Sequence, residues 1–127
     1  MKTINRKKME SIARKYPKQE SATLPILQWI QAENGGYLSA EAVGAASRAM
    51  GMSQSRVYGI TTYYTLFNNQ PVGKYHLQVD TCVPGFLHGA DKILAHLQQT
   101  LGIAPGETTS DGMFTLSVVQ DLASGTI

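Results

Sequence analysis

The sequence predicts an α+β fold, with a small helical bundle over residues 1–70 and a short α/β domain over residues 71–127. Two patterns carry that expectation. Apolar residues recur at helical spacing through the first half, and after Pro71-Val72-Gly73 the pattern changes to strand, helix and strand. A third observation is size: 127 residues with 43% hydrophobic content allow one compact domain, or two small units with modest cores. Short domains bury proportionally little surface, so a permanent partner would help stabilise such a chain.

The elements follow in order. Met9, Ile12, Ala13 and Tyr16 lie on one helical face, and Pro17 stops that helix by removing a donor and crowding the preceding turn. A second helix starts near Thr23, tolerates Pro25 in its first turn, carries Ile26, Leu27, Trp29 and Ile30 on a wide apolar face, and ends at Gly35 and Gly36. Ser39 caps a third helix whose buried stripe is Ala42, Val43, Ala46, Ala49 and Met50, with Glu41 near the positive end of its dipole and Gly51 as its left-handed exit. Ser53 caps a fourth helix through Val57 and Ile60, and residues Thr61 to Phe67 continue it as an aromatic-rich segment. Tyr75 to Val79 alternates as a strand, and Asp80 to His88 is a loop. Ala90, Ile93, Leu94, Leu97 and Leu101 mark an amphipathic helix closed by Gly102, and the turn at Asp111-Gly112 leads into a strand from Met113 to Val119.

Composition excludes several classes of function. The formal charge of +2 makes no general case for nucleic acid, although Lys2, Arg6, Lys7, Lys8, Arg14, Lys15 and Lys18 outnumber Glu10 and Glu20 at the start. That basic stretch reads as a solvated helix face, or as a surface that steers the chain toward an acidic partner. No apolar run approaches the roughly 20 residues that span a bilayer, and the N-terminus lacks a signal segment, so a cytoplasmic location is expected. Cys82 stands alone and cannot form an internal disulfide.

The order of several segments resembles one family. Leu24-Pro25-Ile26-Leu27, Gln31 to Ser39, Thr62-Tyr63-Tyr64-Thr65-Leu66-Phe67, Pro71 to His76, Gly89-Ala90-Asp91 and Gly106 to Gly112 are similar to the NuoE-type small subunit of the NADH-dehydrogenase module of respiratory complex I. Related subunits occur in NAD(P)-linked hydrogenases, formate dehydrogenases and electron-bifurcating complexes. The resemblance implies a helical region followed by a thioredoxin-like domain, here truncated at Ile127, that holds a 2Fe-2S cluster. It also implies a NuoF-like flavin- and NAD(P)-binding partner in a hetero-oligomeric complex, with FMN, NAD(P) and iron–sulfur clusters in partner subunits. In that family two cysteines spaced by four residues follow the first strand, and two spaced by three follow the later one. Thiolates serve there because they donate strongly to iron.

The corresponding positions in this chain are Asp80, Gly85, Asp121 and Gly125, so the spacing persists without the ligands. The expectation is a degenerate member with no cofactor of its own and no catalytic residue, serving as a structural or regulatory subunit. Tyr58, Tyr63, Tyr64 and Phe67 are its candidate partner contacts, with bundle core as the alternative role for part of the set. Two rival functions follow from the residues. Asp80, Asp121 and the displaced Cys82 offer a carboxylate–thiolate set for an atypical metal in an electron-transfer subunit. Residues 42–60 have the outline of a helix-turn-helix DNA-binding module, with Gln54, Ser55 and Arg56 where base-reading side chains would stand. His76, His88 and His96 form no close metal pair in the sequence.

Overall fold

The computed structural model describes residues 4–120, apart from the side chain of Gln19. The chain divides between Pro71 and Val72 into two compact units.

The first unit is helical. Asn5 caps α1 (Arg6–Ala13) through its side-chain oxygen, which accepts the Lys8 backbone N–H at 3.3 Å. The helix ends at Ala13, a turn earlier than the apolar spacing suggests. Lys15 and Tyr16 donate to carbonyls three residues back, Ile12 and Ala13, because a residue before proline is pushed out of helical geometry and the last turn tightens. Tyr16 therefore leaves the buried face. A 3₁₀ turn (Gln19–Ala22), which the apolar pattern does not announce, leads into α2 (Thr23–Glu33), and the Thr23 hydroxyl donates to the Glu20 carbonyl at 2.7 Å.

The Ser39 and Ser53 side chains cap α3 (Ala40–Met50) and α4 (Gln54–Tyr63) by accepting N–H groups three residues on. Gly51 ends α3 at φ 67°, a left-handed angle that glycine adopts without steric cost. The core of this unit is built from Met9, Ile26, Leu27, Leu38, Val43 and Val57 with their smaller neighbours. Leu27 is fully enclosed, and truncation of such a leucine to alanine costs about 2–5 kcal/mol.

The second unit is α/β. Strand β1 (Tyr75–Asp80) pairs in parallel with β2 (Phe114–Val119), in a register that sets Leu77 beside Leu116 and Asp80 beside Val119. Parallel strands need a long crossover, supplied here by α5 (Val83–Leu87) and α6 (Ala90–Leu101). The segment 80–88, a loop by its sequence pattern, thus contains a short helix with Pro84 in its first turn. Leu94 and Leu97 of α6, joined by Ile103, pack on Val79, Ala90 and Leu116. Helices with a parallel pair of strands fit the expected α+β, thioredoxin-like architecture.

Candidate functional site: the exit of strand β1 and an aromatic platform

The parallel register brings the C-terminal exits of β1 and β2 to the same end of the sheet. Thr81 donates its backbone N–H to the Val119 carbonyl at 3.1 Å, and Gln120 reaches the Thr81 hydroxyl at 3.4 Å. Both segments in which the resemblance implies cluster ligands leave from that end. Asp121 and Gly125 lie outside the described residues.

Asp80, the last residue of β1, is buried. One carboxylate oxygen accepts the Cys82 backbone N–H at 2.9 Å, and the other accepts the Cys82 thiol at 2.7 Å. Cys82 is itself buried and stands immediately before α5. Two donors on one tetrahedral zinc, with bonds near 2.3 Å to sulfur and 2.0 Å to oxygen, would sit about 3.5 Å apart. The shorter separation is that of a thiol donating directly to a carboxylate. Among the described residues, no group of three His, Cys, Asp or Glu side chains converges on a point where a metal would sit.

Gly85 closes the other side. A Cβ at this position would lie 2.5 Å from the Asp80 carbonyl oxygen and 3.2 Å from its carboxylate, nearer than side-chain carbons come to backbone. The first turn of α5 packs directly on the end of β1, in space that a cysteine side chain would need. At this loop, then, the residues do not fit a cysteine-held cluster: Asp80 offers no thiolate, and position 85 has neither a side chain nor room for one.

The histidines stay apart. His88 is exposed after α5, and His96 faces Thr100 on α6 at 3.5 Å. His76 is half-buried on β1 and shares a 2.8 Å hydrogen bond with Ser117 on β2. Burial holds its pKa below the usual 6.5. The unfolded chain therefore takes up the proton first as pH falls, so this contribution to stability is complete above about pH 6.5 and declines below it. We expect urea midpoints to drop between pH 7.5 and pH 5, and the drop to be smaller in His76→Gln; an unchanged slope would assign it to other groups.

In the helical unit, Tyr63 and Tyr64 meet edge to face at 5.0 Å, and Tyr58, Tyr63 and Tyr64 are 54%, 78% and 39% exposed. Phe67 differs: at 5% exposure it belongs to the core, because the chain turns inward after Tyr64, and it drops out of the contact set. Leu66, which nothing in the sequence pattern singles out, is exposed beside them. Gln31 on α2 anchors this turn, donating to the Leu66 carbonyl at 3.0 Å and accepting the Asn68 N–H at 2.8 Å. Asn68 in turn accepts the Leu38 N–H at 2.7 Å and donates to the Gly36 carbonyl at 3.0 Å. Tyr63 and Tyr64 thus stand where α4 runs into a braced turn, while Tyr58 projects from α4 itself. A further exposed apolar set, also unforeseen, is Val83, Phe86 and Leu87 on α5.

Helices α3 and α4 are joined by residues 51–53, as a helix-turn-helix would be, and Arg56 at the start of α4 pairs with Glu20 at 3.4 Å.

A helical unit followed by a parallel βαβ element is the outline of an α+β protein with a thioredoxin-like domain. The chain belongs to the thioredoxin-like 2Fe-2S ferredoxin family, whose sequence profile matches residues 9–125. It is 40% identical over 119 residues to the NADH-quinone oxidoreductase E subunit 2 of Rhizobium meliloti (strain 1021), covering 94% of this chain and 70% of that one. It is 41% identical over 117 residues to the NADH-quinone oxidoreductase E subunit of Rickettsia prowazekii (strain Madrid E), covering 91% and 66%. The corresponding Rickettsia felis (strain ATCC VR-1525 / URRWXCal2) protein is 42% identical, with coverages of 91% and 70%. The chain therefore spans about two thirds of the length of these relatives. They are, by name, subunits of a multisubunit oxidoreductase. No helix among the described residues is long and apolar enough to cross a membrane.

Proposed function

We propose that this chain is a subunit of a flavin- and NAD(P)-dependent oxidoreductase assembly that has lost the 2Fe-2S cluster of its family and acts structurally or as a regulator. The observation that carries this reading is the approach of Gly85 to Asp80, which leaves no space for a ligand side chain at 2.5 Å from a backbone carbonyl. The single cysteine in the chain supports it, since a 2Fe-2S cluster of this class uses four thiolates. FMN, NAD(P) and the iron–sulfur clusters belong, on this reading, to partner subunits. The same role extends to complexes of the hydrogenase, formate dehydrogenase, electron-bifurcating or complex I type.

The partner that fits is the NuoF-like flavin- and NAD(P)-binding subunit. Tyr58 on α4, with Tyr63 and Tyr64 at the braced turn that ends it, support this contact, since exposed aromatics on rigid backbone supply large contact area at low entropic cost.

The test is anaerobic reconstitution of the full chain with ferrous iron and sulfide, followed by pull-down with that flavoprotein subunit. The expected result is a colourless chain without stoichiometric iron that nonetheless binds its partner. A reducible cluster signal from this chain would remove the claim of cluster loss, and failure to bind would remove the claim of a shared assembly.

A further inference from the structure

The charge on this chain is separated along its length. Residues 1–18 hold seven basic side chains and one acidic, residues 19–127 hold four and eight, and the resulting +6 and −4 make up the net +2. Six of the seven basic residues lie among the described residues, all of them at the surface. Arg6, Lys7, Lys8, Arg14, Lys15 and Lys18 are all exposed on α1 and the turn after it. None of these six makes an ion pair among the described residues. Lys7 and Arg14, seven residues apart, share a helical face, and Met9 is turned into the core on the other side. Where the basic turn meets the 3₁₀ segment, the Glu20–Arg56 pair ties it to the start of α4, the helix that carries Tyr58 and ends at Tyr63.

We infer that the basic side of α1 is an encounter surface for an acidic patch on the partner protein, separate from the aromatic platform that holds the complex once formed. This rests on the assembly reading above. Six basic side chains stand here against a single acidic one, Glu10, so the surface is net positive; an opposing acidic surface relieves the remaining like-charge repulsion while it accelerates encounter. A lipid surface fits less well. Membrane-bound basic helices bury an apolar face in the headgroup region, whereas Met9, Ile12 and Ala13 already pack within the bundle. A nucleic acid also fits less well, because the +6 of residues 1–18 is offset by −4 over the rest of the sequence and the whole chain carries only +2. A folded protein can match one patch and avoid the rest.

Electrostatic steering acts on association, and packed aromatics act on dissociation. The experiment measures both rates for the full chain and the purified flavoprotein subunit between about 0.05 M and 0.5 M salt, a range over which the screening length falls from roughly 14 Å to roughly 4 Å. Two variants carry Lys7, Lys8, Arg14 and Lys15 all replaced by Glu, or all by Gln, each checked for native helicity. At low salt the Glu variant should associate at least about tenfold more slowly and the Gln variant should fall between it and the wild type, with all three converging at high salt. Their dissociation rates should stay within about twofold, whereas Tyr63→Ala should raise dissociation without changing the salt slope. Unchanged association in both charge variants overturns the inference and leaves the assembly reading intact. Tighter binding to phosphatidylserine vesicles or to a 20-base-pair DNA duplex than to the flavoprotein assigns the patch to another partner and overturns it as well. No binding of the wild-type chain to the flavoprotein at any salt removes the assembly reading and this inference together.

Discussion

Gly85→Ala is expected to destabilise the α/β unit by about 2–3 kcal/mol, near the upper end of the usual cost of overpacking a closed site. The added carbon meets the Asp80 carbonyl oxygen at 2.5 Å, and that atom belongs to the backbone at the end of β1, where no flexible side chain can swing away. For a unit of this size the thermal midpoint should fall by roughly 10 °C or more. Amide exchange should accelerate over Tyr75–Asp80 and Val83–Leu87, with little change in the helical unit. Gly59→Ala is the matched control. Gly59 lies exposed on α4 with nothing within 4 Å of its missing Cβ, so alanine there should stabilise by about 0.5–1 kcal/mol through helix propensity. Equal responses of the two variants would show that the closeness of Gly85 to Asp80 has no energetic weight.

Asp80→Ala is expected to cost about 2–4 kcal/mol, because it removes the carboxylate that accepts both the Cys82 N–H and the Cys82 thiol in a buried place. Asp80→Asn should cost less, since the amide oxygen can still accept the backbone N–H. Urea denaturation of the three proteins at pH 7.5 gives the comparison. If Ala and Asn behave alike, the 2.9 Å bond from the Cys82 N–H is not what holds the start of α5.

Much of the helical unit is legible in the sequence because its signals are local. Ser39, Ser53 and Gly51 each sit next to an apolar stripe and act on N–H and C=O groups within four residues. Tyr16 shows the limit of periodicity: its spacing fits the first helix, but Pro17 restricts the preceding residue and the helix ends earlier. Helix α5 escapes a sequence reading because five residues containing Pro84 and Gly85 are too few to show a period. At the site, the family resemblance points to Asp80 and Gly85. It cannot reveal that the Gly85 backbone lies against the Asp80 carbonyl, nor that Gln31, more than thirty residues away in the chain, anchors the turn presenting Tyr64 and Leu66. Those are contacts through space. Phe67 groups with the tyrosines in sequence because an aromatic run does not say which ring turns inward.

The packing at the end of β1 also bears on descent. Cysteines at positions 80 and 85 cannot be introduced one at a time without cost. Cysteine at position 85 alone must displace the β1 carbonyl, and cysteine at position 80 alone removes the carboxylate that accepts from Cys82. Each first step lowers stability before any iron is bound. The end of β1 therefore resists stepwise change, and the readily accessible substitutions are at the exposed surfaces.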